Sequence, residues 1–170
     1  MTEKDKQEQI LTAREMKSLI KQKVYDPTLE SFNLLKEVLQ EITEEYNKDL
    51  NIKDPRINFE YKERGEFEAQ LKVAGDILIF TMHSNIFEFD RDHNVWKLNY
   101  IKDNAIYSFC GMINVYNFLA DSFKYNRLDD LGYLVTRIFV NVEKHFFVEG
   151  KRQQEYLYNN FGKLILTKET

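Results

Sequence analysis

The sequence predicts an α+β fold with two N-terminal helices, a meandering antiparallel sheet of about five to seven strands and a C-terminal helix. Residues 1–50 carry apolar side chains at every third or fourth position, which is the period of a helix. Residues 56–150 alternate apolar with polar side chains or form β-branched and aromatic runs, both typical of strands. Residues 151–162 return to helical spacing, and 163–170 form a tail. One domain is therefore expected to span 1–170.

The N-terminal region is predicted to form a pair of packed helices. The first helix covers residues 3–24, and Tyr25-Asp26-Pro27 is expected to end it. Asp26 suits a helix N-cap and Pro27 suits the first helical position, so a second helix should start there. The apolar stripe of that second helix consists of Phe32, Leu35, Leu39, Ile42 and Tyr46.

Alternating side chains predict the first strands of the sheet. Residues 57–61 and 67–73 each alternate apolar with polar side chains, and the turn 63–66 joins them into a hairpin with one solvated face. Residues 77–80 are continuously apolar, which is typical of a more central strand. The polar segment 85–104 is expected to be a long loop or a short edge hairpin.

The longest predicted strand runs from Ile106 to Ala120, and a helix over 112–124 is the alternative for its second half. Gly111 predicts a bulge or a sharp bend in this strand. A second hairpin follows, in which 133–141 pairs with 145–149 through a three-residue loop. Favourable cross-strand contacts predict its register: Arg137 with Glu149 and Phe139 with Phe147 on one face, Ile138 with Val148 and Val140 with Phe146 on the other.

Composition narrows the class of protein. The net charge is −4, from 24 basic and 28 acidic residues, whereas proteins that bind nucleic-acid backbones usually carry a basic surplus. No signal-peptide pattern is visible, and no apolar run approaches the about 20 residues that span a bilayer. The lone Cys110 excludes an internal disulfide and is expected to be a buried, inert thiol. A cytoplasmic protein without membrane contact is therefore expected.

Motifs that would identify a common enzyme or cofactor class are missing from the sequence. The glycines fall in no phosphate-binding order, and there is no GxSxG, HExxH or CxxC motif. No cofactor and no metal are therefore predicted.

One face of the long strand and the second hairpin is the leading candidate for a functional surface. Both faces of the long strand are apolar, so its sheet needs a cover on each side, and the helices supply only one. A partner protein, a second copy of the chain in a homodimer or a small ligand would supply the other. The residues expected on this face are Asn114, Tyr116, Arg137, Phe139, Phe147 and Glu149. Tyrosine and arginine are enriched at binding hot spots, so the leading hypothesis is a non-catalytic binding or interaction domain.

Three members of this set also have structural interpretations. Asn114 would equally serve by bonding to a neighbouring loop, and Arg137 with Glu149 would equally form a structural cross-strand pair.

The alternative hypothesis is a small enzyme with a pocket near His83, Asp90 and Asp92. His83 would be the general base, the two carboxylates would orient it or bind a metal, and His93 is a further candidate. The spacing matches no strong catalytic or metal motif, so a solvated turn between short strands is the more ordinary interpretation.

The third hypothesis is binding of single-stranded nucleic acid. Basic residues that interleave with aromatic ones can contact phosphates and stack on bases. The set consists of Lys124, Arg127, Lys144, Lys151 and Arg152 with Phe123, Tyr125, Phe146 and Phe147. Acidic residues interrupt it, so a mixed-charge surface is the more ordinary interpretation and nucleic acid is not the expected partner.

Overall fold

A computed structural model describes residues 3–49, 55–150 and 160–170 of the chain. It contains one long helix and a seven-stranded antiparallel sheet, which confirms the predicted α+β class. The helices are α1 (Glu3–Asp49), α2 (Asn99–Asp103) and α3 (Ala120–Lys124). The strands are β1 (Phe59–Glu63), β2 (Glu68–Val73), β3 (Asp76–Met82), β4 (Phe87–Glu88), β5 (Phe109–Leu119), β6 (Tyr133–Val140) and β7 (Phe146–Gly150).

The N-terminal region is a single helix, so the prediction of two helices was wrong. α1 continues through Pro27, although proline inside a helix costs about 3 kcal/mol. Val24 and Phe32 are fully buried at this point, and burial of such side chains stabilises by about 1.5–3 kcal/mol each. Packing of α1 against the sheet therefore outweighs the local preference of the sequence for a break.

Gly111 allows α1 to lie close to the sheet. A Cβ atom built on Gly111 would lie 2.3 Å from both Oγ1 and Cγ2 of Thr28. The bulge predicted at this glycine is absent, because Gly111 pairs regularly with Val140. The register shift in the β5–β6 pairing falls instead between Val115 and Tyr116.

The main path of the sheet is β1-β2-β3-β5-β6-β7, and β4 pairs with the first residues of β5. The long strand is confirmed over Phe109–Leu119, and the alternative helix is limited to α3. The second hairpin has the predicted register: Arg137 with Glu149, Ile138 with Val148, Phe139 with Phe147 and Val140 with Phe146.

We call the side of the sheet that α1 covers the first face and the opposite side the second face. The first face contains the larger core, formed by Phe32, Leu39, Ala69, Leu71, Phe80, Met82, Ile113, Val115, Val140 and Phe146. The second face is covered at one end by the chain itself. That second core consists of Phe89, Val95, Ile101, Cys110, Phe139, Phe147 and Phe161.

The polar segment 85–104 is therefore neither a plain loop nor an edge hairpin. Together with residues 105–108 it contains β4, α2 and two short 3₁₀ helices, and three of its side chains, Phe89, Val95 and Ile101, enter the second core. At this end of the sheet, no partner is needed to cover the second face.

The end of the C-terminal helix predicted over 151–162 differs from the prediction. Residues 151–159 lie outside the described residues, and 160–163 form a turn, so the helix does not extend to Gly162. Tail residue Ile165 forms an isolated bridge with His145. Within the described ranges, no helix is both long enough and apolar enough to cross a membrane.

Candidate functional site

A row of polar side chains crosses the middle of the second face. Thr81 of β3 lies opposite Asn114 of β5. Asn114 lies opposite Arg137 of β6, and Arg137 lies opposite Glu149 of β7. We call these four residues the polar row. Because neighbouring strands are about 4.8 Å apart, the row is about 14 Å long.

Aromatic side chains lie on both sides of the polar row. On one side Phe139 and Phe147 stack with ring centroids 4.8 Å apart, inside the second core. On the other side Tyr116 and Phe118 follow in β5, and Phe123 of α3 packs edge-on against Phe118 at 5.5 Å. The polar row therefore separates two aromatic clusters on one face of the sheet.

Asn114 is a buried polar residue whose amide has no hydrogen-bond partner among the described residues. Its exposed fraction is 7%, and its side chain makes no hydrogen bond within the part of the chain that the structure describes. Among the described residues, the side-chain polar atom that is both sealed from solvent and unbonded is Oδ1 of Asn117, so the Asn114 amide keeps some access to solvent.

Arg137 adds a cation next to this amide, and no residue in the described ranges pairs with it. Its side chain is exposed and forms no ion pair or hydrogen bond with any residue in the described ranges. The Glu149 carboxylate lies 3.4 Å from Nε2 of His93 instead. The guanidinium therefore keeps five N–H donors available.

The six residues predicted for the second face have different environments. Phe139 and Phe147 are 4% and 0% exposed, because the chain covers them with Phe89 and Phe161. Of the remaining four, Asn114, Arg137 and Glu149 lie beside one another in the polar row, and Tyr116 lies in the neighbouring aromatic cluster.

The residues of the enzyme hypothesis do not form a metal site. In the parts of the chain that are described, no group of three or more His, Cys, Asp or Glu side chains is placed to hold a metal ion. His83 follows β3, and its Nδ1 accepts the backbone N–H of Asn85 at 3.1 Å. Asp90 and Asp92 are exposed in a turn. His93 contacts the polar row rather than this group, since its Nε2 lies 3.4 Å from Oε1 of Glu149.

The basic and aromatic residues of the nucleic-acid hypothesis do not form one surface. Phe146 and Phe147 are buried, and Lys144 pairs with Glu30 of α1. Lys124 and Arg127 lie over the ring of Tyr125, beyond the opposite end of β6. Lys151 and Arg152 lie outside the described residues.

Sequence reasoning missed a second polar cluster, at the turn between β6 and β7. The Tyr100 hydroxyl donates to Oε2 of Glu143 at 2.9 Å and accepts from Nδ2 of Asn141 at 2.8 Å. It also lies 2.7 Å from Nδ1 of His145. Because the hydroxyl has one proton, which it gives to Glu143, Nδ1 of His145 must carry the hydrogen of this third bond.

Further contacts show that this cluster fixes the turn. Tyr107 stacks on Tyr100 with centroids 4.4 Å apart, and its hydroxyl donates to Oε1 of Glu143 at 2.8 Å. Oδ1 of the fully buried Asn141 accepts the backbone N–H groups of Glu143 and His145. Burial raises the pKa of Tyr100, and the bond to Glu143 raises the pKa of Tyr107. No local pattern in the sequence links residues 100 and 107 to residues 141–145.

Cys110 is fully buried in the second core, and this burial raises the pKa of its thiol. The protonated thiol is a poor nucleophile, so Cys110 is not a catalytic candidate.

Comparison with known proteins found no match to any family model, any curated protein or any solved structure. The role of the polar row is therefore inferred from its own chemistry.

Proposed function

We propose that the protein is a non-catalytic binding domain whose ligand lies along the polar row. The observation that carries this proposal is the buried Asn114 amide, which makes no hydrogen bond among the described residues and lies next to the unpaired guanidinium of Arg137. Buried polar groups in folded proteins are nearly always hydrogen-bonded, either to protein atoms or to water. Because the Asn114 amide keeps some access to solvent, a ligand on the row can take the place of that water.

A small ligand suits the polar row better than a partner protein or a second copy of the chain. Protein interfaces obtain most of their binding energy from a few aromatic and arginine anchors. Phe139 and Phe147, the aromatic anchors expected here, are already packed against the chain's own second core. The remaining polar strip, about 14 Å long, matches the size of a small molecule.

The enzyme and nucleic-acid hypotheses lack comparable support. No carboxylate contact orients His83, whose Nδ1 is occupied by a backbone N–H among the described residues. The basic residues that lie within the described ranges are divided between two ends of the sheet. We further propose a cytoplasmic location from the single, buried cysteine, since disulfides are rare in that compartment.

Titration of the full chain with a small-molecule fragment library, followed by two-dimensional NMR, tests this proposal. We expect bound fragments to shift the side-chain amide signal of Asn114 together with the backbone signals of Thr81 and Arg137. The buried side-chain amide of Asn141, which bonds to Tyr100, Glu143 and His145, is the internal control and should not move. Fragments that shift only signals away from the polar row would contradict the proposal.

A further inference from the structure

We infer that the ligand of the polar row carries an oxyanion, either a carboxylate or a phosphate, and that Arg137 binds it. The inference rests on the proposed function. Arginine presents its donors in a planar fork that matches two oxygens of a carboxylate or phosphate at once. In the part of the chain that is described, the Arg137 fork has no protein partner, so both of its edges can face a ligand.

The two carboxylates near the row contact groups other than Arg137. Glu149, directly opposite, has its carboxylate 3.4 Å from Nε2 of His93. Glu68 of β2 lies opposite Thr81 and extends the row by one strand, and its Oε1 lies 3.4 Å from Nε of Arg64. Each carboxylate therefore faces a basic group other than Arg137.

The neighbours of Arg137 supply donors and a flat surface rather than a counter-charge. Cross-strand partners have Cβ atoms about 5 Å apart, so the side chains of Arg137 and Asn114 start close enough to turn toward one ligand. Tyr116, two residues beyond Asn114 in the same strand, is half-buried on the same face. Diagonal neighbours remain within reach of aromatic side chains, so the Tyr116 ring can pack against the body of a ligand. An anion attached to a flat ring fits this arrangement.

Three small probes with the same ring separate charge from shape: benzoate, phenyl phosphate and benzamide. Binding of each to the full chain is measured by NMR titration at the Asn114 and Tyr116 signals. Benzoate or phenyl phosphate should bind about 10-fold or more tightly than neutral benzamide, as expected for hydrogen bonds to a charged group. The tighter of the two anions identifies the oxyanion as carboxylate or phosphate.

Substitution of Arg137 tests its role directly. Arg137→Gln should weaken binding of the preferred anion by about 10-fold or more and remove the preference over benzamide. Arg137→Lys should restore only part of the affinity, because an ammonium group lacks the planar fork. Arg14→Gln, at an exposed arginine on α1, is the matched control and should leave the affinity unchanged. An equal melting temperature for Arg137→Gln excludes unfolding as the cause of the loss.

Two results would overturn the inference. One is that benzamide binds as tightly as the two anions and that Arg137→Gln leaves all three affinities unchanged. The other is no binding of any of the three probes at millimolar concentration. Library fragments that still shift the Asn114 amide would leave the proposed binding function standing, so the two proposals fail separately.

Discussion

Arg137 lies directly opposite Glu149 in the β6–β7 pair, yet the Glu149 carboxylate lies 3.4 Å from Nε2 of His93 rather than pairing with the arginine. The backbone register fixes only where the two side chains start. His93 caps a 3₁₀ helix in the segment that covers the second face, and this segment thereby places a contact for the carboxylate beside the row. The guanidinium of Arg137 has no partner among the described residues, and it defines the candidate site.

Because Gly111 lies against Thr28, any larger residue at position 111 should destabilise the fold. Gly111→Ala places a Cβ 2.3 Å from the Thr28 side chain, so α1 and β5 must move apart. We expect a loss of about 1–3 kcal/mol in the free energy of unfolding, measured by urea denaturation. Gly75→Ala is the control, because no atom lies within 4 Å of its added Cβ. Equal stabilities for the two variants would show that α1 does not pack this closely on β5.

The continuous helix α1 predicts that Pro27 and Asp26 act differently from residues at a helix start. In Pro27→Ala the new N–H can bond to the carbonyl of Lys23, so the free energy of unfolding should rise by about 1 kcal/mol or more. Asp26→Ala should change it by less than about 0.5 kcal/mol, as expected for an exposed residue inside a helix. If Asp26 capped a separate helix, its replacement would instead cost about 1 kcal/mol, and denaturation curves distinguish the two outcomes.

The polar cluster at the turn between β6 and β7, formed around Tyr100 and Glu143, predicts a loss of stability at high pH. Burial raises the pKa of Tyr100, and the hydrogen bond to Glu143 raises the pKa of Tyr107. A tyrosine in the unfolded chain has a pKa of about 10. Above that pH the unfolded chain binds fewer protons than the folded chain, so stability is fully present below about pH 10 and falls as the pH rises further.

Urea denaturation between pH 8 and about pH 11 measures this fall. Tyr100→Phe should lose about 1–3 kcal/mol at neutral pH, because it leaves the buried Asn141 amide without its acceptor, and it should show a shallower alkaline fall. Tyr125→Phe, at an exposed tyrosine outside the cluster, should cost less than about 0.5 kcal/mol. An alkaline fall of equal steepness in Tyr100→Phe and the natural protein would contradict the assignment.

Local patterns were sufficient to predict the fold class and the second hairpin. Strand alternation and the short loop limited the register, and the Arg137–Glu149 and Phe139–Phe147 pairs selected it. The same local reasoning failed at Pro27, because the burial of Val24 and Phe32 that keeps α1 continuous depends on contacts distant in sequence.

The polar row could be predicted only in part. Asn114, Arg137 and Glu149 lie in neighbouring segments of the chain, and strand alternation was sufficient to predict that they share one face. Thr81 was missed because its pairing with Asn114 spans 33 positions and depends on the path of the chain between β3 and β5. The cover over Phe139 was missed because the side chains that form it, such as Phe89, have no regular spacing within a polar segment.

The most direct test of the binding site is the stability of Asn114→Val. If the buried amide is kept for a ligand rather than for the fold, an apolar replacement should raise the free energy of unfolding by about 1 kcal/mol or more and abolish the fragment-induced shifts at Thr81 and Arg137. Asn141→Val, at an amide bonded within the fold, should instead lose about 1–3 kcal/mol. A loss of stability in Asn114→Val as large as that in Asn141→Val would show that the fold uses the Asn114 amide, and it would contradict the binding site.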